Sequence, residues 1–221
     1  LTGITNDLIK EIEKQKPNII VLTGDFVDSS KTNVEVAINF IKKINTVAPI
    51  YYVSGNHEAS ISGYTKFKEQ LLENKVIILE NKTEVLKINE SSINLMGIDD
   101  PRMAHESFIS DSEIVKVELD NVKYNRDKYN ILLSHRPELF DTYVEKEIDL
   151  ILTGHAHGGQ IRIPFMGGIV APNQGFFPKY TSGIFEKNKT TMVVSRGIGN
   201  SIIPFRINNR PELVVITLYN K

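Results

Sequence analysis

Apolar residues recur along this chain in two rhythms. Leu8, Ile9 and Ile12 fall at helical spacing, with Asn6 or Asp7 placed to cap, and predict a short helix that stops near Pro17. Val34, Ala37, Ile38, Ile41 and Ile44 keep the same spacing and predict a helix over 33–45. Between and after them the apolar runs are continuous: "NIIVLTGD", "IYYVSGN", "YNILLSH" and "IDLILTGH". A run without alternation reads as a strand buried on both faces, and strands alternating with helices predict an α/β layered fold. "KVIILE", "EVLKI" and "SINLMGI" (75–98) are divided only by short polar turns, which predicts strands with antiparallel partners. "PELFDTYVEKE" reads as a helix, and "EIVKVEL" (113–119) fits either period. "QIRIP", "TTMVVSRG" and "ELVVITL" predict a C-terminal part of strands and Gly-rich loops. With no linker, repeat or low-complexity tract, residues 1–221 read as one domain.

Four of these runs end alike: Thr23-Gly24-Asp25, Ser54-Gly55-Asn56, Ser134-His135 and Thr153-Gly154-His155. Each stops in a small residue and then presents a group able to bind a metal. Ligands of layered α/β folds bind beyond the carboxyl ends of the strands. With His157 the candidate set is one Asp, one Asn and three His, without sulfur. Imidazole with carboxylate suits Mn, Fe or Zn, and two divalent ions would share the site if Asp25 bridges them. A lone histidine at a strand end is more often a hydrogen-bonded core residue, and Gly-Asn is ordinary turn chemistry; the joint pattern reverses those readings. His57, beside Asn56, is placed to protonate a leaving oxygen, with Asp28 as the carboxylate that would orient it. Glu58 reads as a local structural group.

Bulk composition narrows the partners. The net charge is −1, so no nucleic-acid partner is expected. Hydrophobic residues at 41% support a sizeable core, and cysteine is absent, which excludes disulfides and thiolate metal sites. No apolar run is long enough to span a bilayer.

The residues resemble the calcineurin-like metallophosphoesterase family, whose pattern is D-x-H, G-D-x-x-D, G-N-H-[DE], a lone His, then G-H-x-H. Gly24-Asp25-Phe26-Val27-Asp28, Gly55-Asn56-His57-Glu58, His135 and Gly154-His155-Ala156-His157 match the last four in order. "GHAHGGQIRIPFMGG", "FFPKYTSGIF" and "SRGIGNSIIPFRINNRPELVVITL" are similar to the YkuE- and YaeI-like branch, related to UDP-2,3-diacylglucosamine pyrophosphatases. The resemblance implies a four-layer αββα sandwich of two mixed sheets with helices outside and a dinuclear site at strand ends. It further implies a phosphodiesterase or pyrophosphatase that uses a metal-bridged hydroxide. By the family plan Asp25 bridges two divalent ions; Asn56, His135 and His155 complete one, and His157 joins the other. No D-x-H precedes Asp25 in these 221 residues, so the domain is expected to lack that first strand, with one site incomplete and activity weak or absent.

The expected substrate is a small-molecule or lipid-linked phosphodiester. His105, in "GIDDPRMAHE", and Arg136 are candidate contacts, with Arg162 and Arg196 as further phosphate contacts, although a loop histidine is more often solvated and each arginine more often structural. "IPFMGGIV" and "GFFPKY" place apolar groups near the histidine loop, where they read as buried packing or as a lipid-facing wall. The branch implies a bacterial domain tethered to or exported across a membrane by a segment outside these residues. Oligomeric state cannot be read. The alternative is a catalytically impaired scaffold of the same fold that binds a ligand without turnover.

Overall fold

The computed structural model describes residues 2–30, 32–88, 91–199 and 205–219. Helix α1 (Thr2–Gln15) leads into β1 (Ile20–Thr23), α2 (Val34–Ile44) and β2 (Ile50–Val53). Next come α3 (Tyr64–Glu73), β3 (Ile77–Ile78), β4 (Lys82–Ile88) and β5 (Ser91–Gly97). Helix α4 (Asp111–Asn121), β6 (Asn130–Leu133), α5 (Phe140–Glu145) and β7 (Leu150–Thr153) continue the alternation. Two short hairpins follow, β8 (Arg162–Ile163) with β9 (Gly167–Gly168) and β10 (Val170–Ala171) with β11 (Gly175–Phe176). Strands β12 (Gly183–Lys187) and β13 (Thr190–Val194) close the series.

The strands make two main sheets. One has the order β1-β2-β3 and is parallel throughout; the other is mixed, in the order β12-β13-β7-β6-β5-β4. Alternation along a strand explains why the apolar runs are continuous. Tyr51 and Val53 face Leu95, Ile131, Leu133, Leu150 and Leu152 of the mixed sheet in one cluster. Ile50 and Tyr52 turn the other way, onto Ile9, Ile12, Ile38, Ile41, Phe67 and Leu71 of α1–α3. On the far side of the mixed sheet, Met96, Leu132, Ile151 and Met192 pack on Val115, Leu119, Phe140 and Tyr143 of α4 and α5. Strands β5, β6, β7 and β13 run parallel, so their carboxyl ends reach one edge of that sheet.

Several expectations need correction. Helix α1 begins at Thr2, so neither Asn6 nor Asp7 caps it. Helix α3 was not foreseen, because only Phe67 and Leu71 of it are buried, too thin a stripe to read as a helical period. "KVIILE" pairs over two residues only, parallel to β2, while antiparallel pairing joins β4 to β5. "EIVKVEL" is helical, and a capping box of Ser110 with Glu113 sets its start. "ELVVITL" forms no strand among the described residues; Val215, Ile216 and Leu218 stay exposed, with β-forming side chains but no paired edge. Residues 200–204 of the "SRGIGNSIIPFRINN" stretch lie outside the described residues.

Asn81 links the backbone of Asp99, just after β5, to the carboxyl group of Glu118 on α4. Its Oδ1 accepts from the Asp99 N–H at 3.3 Å and its Nδ2 donates to Glu118 Oε1 at 3.5 Å. Burial, then the Asp99 charge, pushes Glu118 from 4.5 up to about 7; burial, then the charge of Glu80, pushes Asp99 from 3.8 up to about 6. The folded state therefore favours the protonated forms. Their contribution is fully present below pH 4 and is lost as pH rises through 6 to 7. Glu118→Gln is expected to raise the Tm at pH 8 by about 2–4 °C and to leave it unchanged under acid conditions. Thermal unfolding at both ends of that range checks this, and no gain at pH 8 refutes it.

Candidate metal centre

Four loops deliver the site, each leaving a parallel strand at its carboxyl end. After β1, Gly24 turns with φ +86° and Asp25 follows at φ +53°. After β2 come Gly55 and Asn56, after β6 comes His135, and after β7 come His155 and His157. His155 and His157 also hold positive φ, +61° and +47°. L-residues rarely adopt that region, and such strain gathers at functional sites. Gly55 is required by close approach: a Cβ there would sit 2.4 Å from both the N and the Oδ1 of Asp25.

The donor atoms converge on His135 Nε2. Asp25 Oδ2 lies 3.0 Å from it, Asn56 Oδ1 3.2 Å and His155 Nδ1 3.0 Å. Adjacent ligands of an octahedron with bonds of roughly 2.1–2.2 Å stand about 3.0 Å apart, so the residues fit one hard-to-borderline divalent ion. Among the described residues, Asp25, His135 and His155 are the His/Asp/Glu group whose ligand atoms lie within 4.8 Å of one another. Among the described residues, His157 joins no such group of three.

Protonation follows the same plan. Burial resists the Asp25 charge, but His135 and the His57 backbone N–H, donating at 2.9 Å, hold its pKa well below the usual range. Burial also works against the His135 cation, yet Asp25 carries its pKa up to about 9. Burial pushes His155 far down and His157 down to about 4, against the pull of Asp25. At neutral pH both imidazoles are neutral and keep a lone pair for a ligand bond.

His57 stands at the mouth of the group, Nε2 3.9 Å from Asp25 Oδ2. Sequence reasoning assigned its orienting partner to Asp28, whose Oδ1 lies 3.8 Å from His57 Nδ1 and accepts from the Ser30 N–H and hydroxyl. The neighbouring residue also reaches Nδ1: the Ser29 N–H donates at 3.0 Å, with Ser29 Oγ at 2.9 Å. Nδ1 is therefore an acceptor, and the proton of the neutral ring sits on Nε2.

Glu58 does more than the sequence suggested. Its carboxylate accepts from the N–H groups of Asp25 (2.8 Å), Phe26 (2.7 Å), Val27 (3.2 Å) and Gly55 (2.8 Å), tying the first two ligand loops together. Asn209 was missed; its Nδ2 donates to the carbonyls of His157 (2.6 Å) and Gln160 (3.1 Å). It lies some fifty positions from the loop it braces, and no spacing in the chain signals the pairing.

The candidate substrate contacts fare differently. Arg136 is 1% exposed, paired through Nε and Nη2 with Asp100 and through Nη1 with Glu138. A guanidinium so enclosed is a structural tie, which corrects the expectation of a substrate contact. His105 is exposed, at φ +53°, closing the 3-10 turn Pro101–Ala104, and belongs to no ligand group among the described residues. Arg162 donates to the Gly158 carbonyl and Thr181 Oγ1, and Arg196 stands 3.8 Å from Glu212. The apolar loop residues are not packed inside: Phe165, Met166, Phe176 and Phe177 are all exposed.

The family model for calcineurin-like phosphoesterases matches residues 4–159. The chain is 28% identical over 214 residues to the uncharacterized metallophosphoesterase YkuE of Bacillus subtilis, covering 96% of this chain and 71% of that protein. It is 26% identical over 227 residues to the phosphodiesterase YaeI of Escherichia coli, covering 98% of this chain and 76% of that one. Among solved structures, the sulfate thiohydrolase SoxB of Thermus thermophilus shares the fold. The TM-score is 0.52 at 17% identity, over 87% of this chain and 36% of SoxB.

Proposed function

The chain belongs to the calcineurin-like phosphoesterase family, and from that membership we propose a metal-dependent phosphoric ester hydrolase acting on a phosphodiester or pyrophosphate through a dinuclear centre. The observation that carries the reading is the meeting of Asp25, Asn56 and His155 donors within 3.0–3.2 Å of His135 Nε2, with the Nε2 of His57 alongside. Asp25, Asn56, His135 and His155 would hold one ion, and Asp25 with His157 would hold part of the other. Divalent ions bound there supply Lewis acidity and a water nucleophile at neutral pH.

The chain's own residues do the rest. His57 carries its proton on Nε2, because Ser29 donates to Nδ1, and delivers it to the departing oxygen. Glu58 keeps the Asp25 and Asn56 loops in register, and Asn209 braces the loop of His157. Two divalent charges, offset by Asp25, by the aspartate that the family's D-x-H motif supplies and by a hydroxide, would leave roughly one positive charge, which suits a diester better than a dianionic monoester. The exposed Phe165, Met166, Phe176 and Phe177 favour a substrate with an apolar or lipid-linked group. The three core clusters support a four-layer αββα arrangement in a single domain.

The test is hydrolysis of bis-p-nitrophenyl phosphate, p-nitrophenyl phosphate and a pyrophosphate diester, with Mn²⁺ and with EDTA. Metal-dependent turnover favouring the diesters is expected; no metal-dependent turnover of any of them overturns the reading. A separate expectation concerns stoichiometry. Four ligands serve one ion and two serve the other, so these 221 residues are expected to retain about one Mn²⁺ per chain after gel filtration. Two tightly held ions by elemental analysis would refute it.

A further inference from the structure

We propose that Glu138 is a positioning residue for His155, accepting the proton of its outer ring nitrogen and so aiming the other nitrogen at the metal centre. His155 Nδ1 faces the shared point, 3.0 Å from His135 Nε2. Its Nε2 is buried and has no hydrogen-bond partner, and Glu138 Oε1 stands 3.7 Å away. Glu138 Oε2 is likewise buried without a partner. A buried donor without a partner therefore faces a carboxylate that keeps one oxygen unfilled, across a gap only slightly longer than a hydrogen bond. An imidazole that lends one lone pair to an ion keeps its proton on the other nitrogen, and that N–H, buried, needs an acceptor.

The carboxylate is already aimed. Arg136 Nη1 donates to Glu138 Oε1 at 3.3 Å and Asn173 Nδ2 at 3.0 Å, while Arg136 is locked by its two bonds to Asp100. The 3-10 turn Pro137–Leu139 carries Glu138 just after His135. One loop thus delivers the first imidazole and orients the second, which arrives from β7. A carboxylate behind a metal-binding imidazole fixes the tautomer and raises ligand basicity, and its loss typically costs about 10–100-fold in metal affinity.

The inference rests on reading His135 and His155 as ligands, so its test has one arm that needs no metal. In metal-free protein, ¹⁵N-imidazole spectra of His155 are expected to show the Nε2–H tautomer. In Glu138→Gln, close to Glu138 in shape, the Nδ1–H form gains population. In calorimetric titration with Mn²⁺, Glu138→Gln and Glu138→Ala are expected to weaken binding by about 10–100-fold. Asn173→Ala, which removes a neighbour of Glu138 and not of His155, should change it less than about threefold. An unchanged tautomer together with wild-type affinity in Glu138→Gln overturns the proposal. Wild-type protein that binds no divalent ion overturns the metal-dependent hydrolase reading instead, and the tautomer of His155 then still decides the role of Glu138.

Discussion

Glutamine in place of His57 is expected to lower kcat for Mn²⁺-dependent diester hydrolysis by about 10²–10⁴-fold, the usual worth of a positioned general acid. KM and bound metal should stay near wild type. The contact that links this residue to Asp25 at 2.9 Å is made by its backbone N–H, which the substitution keeps. What goes is the Nε2 proton, made available because Ser29 donates to Nδ1. The loss should therefore depend on the leaving group: small for p-nitrophenolate, which departs without a proton, and largest for an alkyl diester. Equal losses on both substrates would assign His57 to transition-state charge or to site geometry. Wild-type kcat on the alkyl diester would remove it from catalysis.

The strand ends were legible because the chemistry is local. An apolar run stopping in Gly-Asp, Gly-Asn or Gly-His states both the strand and the group it presents, and β1, β2 and β7 end where those runs predict. Each pair, Asp25 with Asn56 and His135 with His155, could be anticipated from neighbouring parallel strands; that the two pairs meet depends on how the two sheets pack face to face. What supports those groups was not legible. Ser29 donates to His57 Nδ1 while Asp28 Oδ1 stands 3.8 Å from the same nitrogen, an arrangement set by loop conformation. Asn209 and Glu138 act on His157 and His155 across long sequence separations, through contacts no period encodes. Arg136 is a candidate phosphate contact by residue type alone, and the fold encloses it with Asp100. The run misread as a strand has a physical cause. Intrinsic β-preference in "ELVVITL" is real, but a strand needs an edge to pair with, and composition says nothing about that.

The largest effect on stability is expected from Glu58→Ala. Both carboxylate oxygens are filled by N–H donors from Asp25, Phe26, Val27 and Gly55, and the side chain is fully buried. Burial, then the nearby Asp25 charge, works to raise its pKa, but four donors leave no place for a proton on either oxygen. Alanine strands those four N–H groups. Each unsatisfied buried donor costs about 1–3 kcal/mol, with part recovered by water or relaxation. A net loss of about 3–6 kcal/mol corresponds to a fall in Tm of roughly 10–20 °C for a chain of this size. Metal binding should fall with it, since Asp25 sits at φ +53° on one of the freed loops and Asn56 follows Gly55 on the other. Glu58→Gln separates charge from geometry. Its carbonyl oxygen keeps the donors on one side, while its NH₂ meets donors on the other, so an intermediate Tm is expected. Thermal unfolding of both variants with and without Mn²⁺ reads this directly. A Glu58→Ala Tm within a few degrees of wild type would show that the two loops hold their shape without the carboxylate.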